Sequence, residues 1–158
     1  MKNTTWHIGP IEKHIPNIKE LFAQNKDHKL AENYLSWPLF EYTRFARMGY
    51  LKDKMIYYSA GIERPEYNGS IRIMSRHTRD RNFDFGSKQD DLNRGLQTLE
   101  LSVFYAKFLG YKDIWVSRES SPNLFYWFQK NSDYEWVVSK ELMHYGEYQY
   151  VMRLVDGS

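Results

Sequence analysis

The feature that most constrains this chain is a long helix with a strand-like segment on each side. Leu92, Leu96, Leu99, Val103 and Ala106 recur at steps of four, three, four and three, which places them on one helical face. Leu101, Phe104, Tyr105 and Phe108 widen that face and predict a helix buried on two sides. Gly110 follows as a C′ glycine. Upstream, Ser70 to Arg79 alternates, with Ile71 and Ile73 on one side and Arg72, Met74 and Arg76 on the other. Downstream, Ile114-Trp115-Val116-Ser117 is a short apolar strand. A strand, a long helix and a second strand make a crossover, and a crossover sets the two strands parallel.

The rest of the chain adds elements around this unit. Trp6-His7-Ile8 predicts a strand that ends at Gly9-Pro10. Ile11, Ile15, Ile18, Leu21 and Phe22 form a helical stripe whose helix starts near Pro16, where a missing N–H costs little. Ser36-Trp37-Pro38 predicts a helix entry, followed by Phe40, Phe45, Met48 and Leu51 at helical spacing. Met55 to Ile62 has strand composition, and Pro65, Asn68 and Gly69 form a turn before Ser70. These two segments predict an antiparallel hairpin with a loop of about five to seven residues. Pro122 opens a short aromatic helix, and Tyr134–Leu142 and Tyr148–Val155 predict a second hairpin. The expected fold is α/β: one mixed sheet with helices on both faces, in a single domain over residues 1–158.

Composition excludes several classes. The chain has 158 residues, with 42% hydrophobic and 17% aromatic content, enough to build a core without staples. There are no cysteines, so disulfides, thiolate metal sites and cysteine nucleophiles are all ruled out. Against 22 basic residues stand 20 acidic ones, a balance that argues against nucleic acid as partner. No apolar run approaches the ~20 residues of a membrane span. Met1 to Thr5 is polar, with no apolar stretch behind it, which does not read as a signal peptide. A cytoplasmic protein is expected.

Several residues are candidates for chemistry. His77, within Arg76-His77-Thr78-Arg79-Asp80-Arg81, titrates near neutral pH and is a candidate base. Arg72, Arg76, Arg79 and Arg81 form the densest basic cluster and suit an anionic ligand. Ser117, Glu119 and Asn123 follow a central strand, where α/β sheets bind ligands. His7, His14, His28 and His144 are scattered in sequence without metal-ligand spacing, so no catalytic metal is expected. Each candidate also has an ordinary structural use, as a turn residue, a solvated strand face or a helix cap.

The element order over residues 71–155 resembles the GNAT acyltransferase fold. Phe108-Leu109-Gly110-Tyr111-Lys112-Asp113-Ile114-Trp115-Val116 is similar to the end of that family's central helix, its Gly-Tyr and the next strand. Asn123, Phe128-Gln129-Lys130 and Tyr134 are similar to its Asn, aromatic-Glu-Lys and Gly-Phe pattern, with Gln129 in place of Glu and no glycine before Tyr134. The family's phosphate loop, Arg/Gln-x-x-Gly-x-Gly/Ala, is not matched by Arg79 to Gly86 or by Arg94-Gly95.

The resemblance implies a splayed pair of parallel strands that holds acetyl-CoA or another acyl-CoA. It implies that Ser75, Arg79, Arg81, Gly86, Ser117 and Asn123 contact the cofactor, with Arg79 or Arg81 near its phosphates. It implies a base on the strands before the splay, assigned to Glu63 or His77, and a tyrosine acid on the short helix. Tyr126 is the nearest tyrosine. The family's own position is held by Phe128, two residues or about 200° further round the helix. The implied activity is acyl transfer to the amine of a small molecule or peptide, with a homodimer as an open option. Two other classes remain: a GNAT-like interaction protein without catalysis, whose aromatic residues anchor a partner, and a nucleic-acid binder using the Arg72–Arg81 stripe.

Overall fold

One sheet takes in strands from both ends of the chain. The computed structural model describes residues 3–24, 39–73, 77–78, 88–117, 122–142 and 148–155. Its strands are β1 (Thr4–Gly9), β2 (Thr43–Leu51), β3 (Lys54–Ile62), β4 (Ser70–Ile73), β5 (His77–Thr78), β6 (Asp113–Ser117), β7 (Trp136–Leu142) and β8 (Tyr148–Leu154). Its helices are α1 (Ile15–Gln24), the single turn α2 (Leu39–Tyr42), α3 (Lys88–Phe108) and α4 (Pro122–Asn131). The path across the sheet is β1-β2-β3-β4-β6-β8-β7, with β5 beside β3. Only β4 and β6 run parallel, pairing Ser70 with Asp113, Ile71 with Ile114 and Arg72 with Trp115. The crossover through α3 therefore has the consequence expected of it.

Helices cover both faces. Ile18, Leu21 and Phe22 of α1 pack on Ala46, Met48, Met55, Tyr58, Ala60 and Ile62. On the other face Leu99, Val103 and Ala106 of α3 and Phe125 of α4 pack on Phe45, Ile71, Ile73, Ile114, Trp136, Met152 and Leu154. The mixed α/β sheet with helices on both sides is thus the observed architecture.

The segment 43–51 departs from the helix expected of Phe40, Phe45, Met48 and Leu51. It is strand β2, between β1 and β3. Phe45 enters the core under α3, whereas Ala46 and Met48 enter the core under α1. A strand buried on both faces loses the polar alternation that marks a half-buried one. Register shifts at Thr43/Phe45 and Gly49/Tyr50 break the pattern further. The Ser36-Trp37-Pro38 entry lies outside the described residues.

Phe45 faces Gly61 across the β2–β3 pair. A Cβ at Gly61 would run into the Phe45 ring, so the glycine makes room for that side chain. Phe45 in turn meets Tyr105 of α3, with ring centroids 4.9 Å apart.

Helix α3 is buried along Leu99, Val103 and Ala106, but Leu92 and Leu96 are only half-buried. With 21 residues it is about 31 Å long. The five residues of β6 span only about 17 Å, so the first turns of the helix outrun the strands beneath. The second buried side expected from Leu101, Phe104, Tyr105 and Phe108 is not there: Phe104 is 66% and Phe108 76% exposed. The buried face extends instead to Gly95, Thr98 and Ser102, small residues that let helix and sheet approach. Gly110, at φ +98°, closes the helix. Its N–H donates to the Lys107 carbonyl at 2.9 Å, and the Tyr111 N–H donates to the Ala106 carbonyl at 3.1 Å, the paired bonds of a Schellman cap.

Candidate functional site

Strands β4 and β6 stay together for three residue pairs and then part. After Arg72/Trp115, Ile73 pairs only with Gly61 of β3, while Val116 and Ser117 pair with Met152 and Val151 of β8. Between the pairs Gly61/Ile73 and Tyr58/His77 the register against β3 slips by one residue. The cleft thus opens at the carboxyl ends of two parallel strands, the usual ligand position in α/β sheets. Phe125 of α4 and Leu99 of α3 belong to the core that floors it, together with Ile73.

The chain reaches this cleft from both sides. His77 lies in β5, on the β3 side of the divergence. Ser117 ends β6 and is 9% exposed. Asn123 stands in the first turn of α4, and Tyr126, 43% exposed, lies further along that helix with its ring edge-on to Phe125 at 5.2 Å. The first turn of α3 carries Asp90 and Asp91. These acids favour the helix dipole and oppose a phosphate at the same place. Ser75, Arg76, Arg79, Arg81, Gly86 and Glu119 lie outside the described residues.

Glu63 is not at this cleft. It follows β3, which runs antiparallel to β4, so it sits at the opposite end of the parallel pair. Its carboxylate accepts from the Gly69 N–H at 2.7 Å, from Tyr111 Oη at 2.8 Å and from Arg44 Nε at 3.3 Å. Burial pushes its pKa up, but these bonds and the Arg44 charge outweigh burial and hold it below the usual carboxylate value. Burial, then the Glu63 bond and charge, push the Tyr111 hydroxyl up. A carboxylate so held is a poor proton acceptor, and the expectation of Glu63 as base is corrected on position as well. Glu63 closes the β3–β4 loop and ties it to the residue after the α3 cap.

A second polar group crosses four strands at this same end. Arg153 of β8 donates from Nη1 to both Asp113 carboxylate oxygens at 2.6 Å, and from Nε and Nη2 to Glu141 of β7 at 3.1 and 2.8 Å. Ser70 Oγ of β4 donates to Asp113. The Asp113 carboxyl, raised by burial, is brought below its ordinary value by the Arg153 and Ser70 bonds. Arg72 and Arg153 each flank the Trp115 indole, at 5.8 and 5.6 Å from the ring centroid. Arg72 is thus built into the sheet face, 8% exposed, rather than standing free in a surface basic cluster. None of these long-range partners has a local sequence signature.

The fold also gathers two of the histidines that are scattered in sequence. His7 of β1 and His14, just before α1, have ring centroids 5.4 Å apart. His14 Nδ1 and Tyr50 Oη of β2 are 2.6 Å apart. Burial, then the neighbouring His7 and Lys13, lower the His14 pKa. Among the described residues, no three His, Asp or Glu side chains group closely enough to hold a metal, and no helix is long and apolar enough to cross a membrane.

No family model matches the sequence, and no curated protein is similar to it. Solved structures are similar in shape. An acyl-CoA N-acyltransferase from Pseudomonas aeruginosa superposes with a TM-score of 0.62 at 12% identity, over 96% of this chain and 99% of that one. A diaminobutyrate acetyltransferase from Paenibacillus lautus, in complex with its substrate and coenzyme A, gives 0.56 at 10% identity, over 97% and 95%. An aminoglycoside 6′-acetyltransferase type Ii gives 0.59 at 14% identity, over 93% and 95%. At such identities the likeness concerns architecture, and it extends from end to end of the chain rather than over residues 71–155 alone. The chain has the GNAT fold.

Proposed function

We propose that this protein is an acyl-CoA-dependent N-acyltransferase that moves an acetyl or other acyl group onto the amine of a small molecule or peptide. The observation that carries this reading is the divergence of β4 and β6 after Arg72/Trp115. Two separating strand edges offer backbone hydrogen-bonding groups to the amides of an extended pantetheine arm. In the reaction the amine nitrogen attacks the thioester carbonyl, the new C–N bond replaces the C–S bond, and coenzyme A leaves as a thiolate that takes a proton. His77 is the base candidate that remains near the cleft. Tyr126 is a candidate acid, carried by the helix that follows β6. Ser75, Ser117 and Asn123 are assigned to the pantetheine side, and Arg79, Arg81 and Gly86 to the pyrophosphate.

A second reading, a GNAT-like interaction protein, is favoured by the exposed Phe104 and Phe108 and by the acids Asp90 and Asp91 where a phosphate would sit. Thermal unfolding with ~1 mM acetyl-CoA separates the two. Ligand at 100 times its Kd stabilises by about 2.7 kcal/mol, which raises Tm by several degrees for a domain of this size. No shift, and no heat on titrating acetyl-CoA or free CoA at millimolar concentration, favours the interaction protein.

A further inference from the structure

We infer that His7 and His14 form a binding site for a late first-row divalent metal ion, with solvent completing the coordination sphere. The site lies on the β1 edge of the sheet, three strands away from β4, and is independent of the acyl-transfer reading.

The geometry of the two rings carries the inference. With a metal–nitrogen bond of about 2.1 Å and a ring nitrogen about 1.1 Å from its centroid, each centroid lies about 3.2 Å from the metal. A tetrahedral angle then sets two centroids about 5.2 Å apart. The observed separation is 5.4 Å, with the rings tilted by 51°. His7 is exposed and His14 half-buried, so an ion can enter from solvent.

The surroundings of His14 supply the second observation. A metal-binding imidazole commonly gives its other N–H to an oxygen, which fixes the tautomer and the ring plane. His14 Nδ1 lies 2.6 Å from Tyr50 Oη, while Tyr50 also bonds the Asn17 side chain. With the metal on Nε2, the ring proton stays on Nδ1 and donates to Tyr50 Oη. Tyr50 is itself placed by the sheet, opposite Thr5 and one residue pair beyond Gly49/Trp6. Its ring meets His7 edge-on at 5.6 Å, so one phenol steadies both imidazoles. A metal requires neutral imidazole, the form that the neighbours of His14 already favour. Glu12 and Lys13 beside it are both exposed, so their opposite charges stay in solvent. Two imidazoles and no carboxylate suit copper, nickel and zinc rather than magnesium or calcium.

The test is calorimetric titration of the metal-stripped, tag-free full chain with Zn(II), Ni(II) and Cu(II), plus electron paramagnetic resonance of the Cu(II) complex. One equivalent is expected, with Cu(II) the tightest of the three and two nitrogens coupled to the copper. His7→Ala and His14→Ala should each weaken Zn(II) binding by more than about 100-fold, and Tyr50→Phe by about 10-fold, as for loss of an outer-shell bond. His7 is exposed, so His7→Ala is expected to keep the unmodified circular dichroism spectrum and Tm. A variant with His28, His77 and His144 all changed to Ala should bind as the unmodified chain does. Unmodified affinity in His7→Ala, or loss of binding in the triple variant, overturns the inference.

Discussion

Changing Glu63 to Gln tests the reading of that residue as a clamp rather than a base. The side chain is only 16% exposed, and three donors converge on it: the Gly69 N–H, Tyr111 Oη and Arg44 Nε. Glutamine keeps the shape but removes the charge that strengthens all three bonds, and it turns an amide NH2 toward one of the donors. Hydrogen bonds to a charged group contribute about 1.5–3 kcal/mol each, but Arg44 is 39% exposed and contributes little. A total loss of about 1.5–3 kcal/mol at pH 7 follows. With an unfolding entropy of about 2.1 cal/mol/K per residue over 158 residues, Tm falls by about 5–9 °C. The pH dependence has a definite sign. The folded-state pKa of Glu63 lies below its unfolded value of about 4.3. The stabilisation is therefore full above the unfolded pKa and is lost as pH falls through the folded one. Urea unfolding of both proteins at pH 7 and across the acid range measures this directly. Equal stabilities at pH 7, or a gap that widens in acid, refute the reasoning. CoA affinity should not change, because Glu63 lies at the end of the strands away from the cleft. A stable Glu63→Gln protein with unchanged KM and abolished transfer would restore Glu63 as the base.

Two further substitutions probe the core beside the cleft. Gly61→Ala forces a methyl group against Phe45, which is fully buried and braced by Tyr105, so it should cost about 1–3 kcal/mol of overpacking. Phe45→Leu in the same chain should relieve part of that cost, and an additive double-mutant cycle in urea unfolding would show that the two positions do not touch. Leu99→Ala, at a site only 4% exposed between α3 and the parallel strands, should cost about 2–5 kcal/mol. A loss below about 1 kcal/mol there would mean that this stretch of α3 does not pack on the sheet.

The parts of the fold legible in the sequence are those with one buried face. The Leu99, Val103 and Ala106 stripe shows a single helical period, and its flanking strands then require the parallel pair. Strand β2 was hidden because Phe45 and Met48, three residues apart, enter opposite cores and imitate a helix. The exposure of Phe104 and Phe108 was equally hidden, since an apolar residue looks the same whether or not something packs against it. At the site, the splay follows from element order, which is readable. The Glu63–Tyr111 bond spans 48 residues and the His14–Tyr50 bond 36. Such pairs exist only once the sheet has set its register, so Glu63 reads as a loose turn acid and His14 as an isolated histidine.

The shortness of the parallel pair also bears on how the chain assembles. The strands β1 to β4 follow one another as antiparallel neighbours, and β7 and β8 form a hairpin of their own. These two blocks meet in the sheet only where β4 adjoins β6. Glu63 and Gly69 close the β3–β4 turn across 6 residues, whereas Ser70 and Asp113 meet across 43. Loop-closure entropy makes the longer closure costlier by about 1.7 kcal/mol. Three residue pairs give little in return until α3 has docked across both blocks. The folding nucleus therefore belongs to the antiparallel blocks, and the seam between them, where the cleft opens, is the last part of the sheet to form and the first to separate.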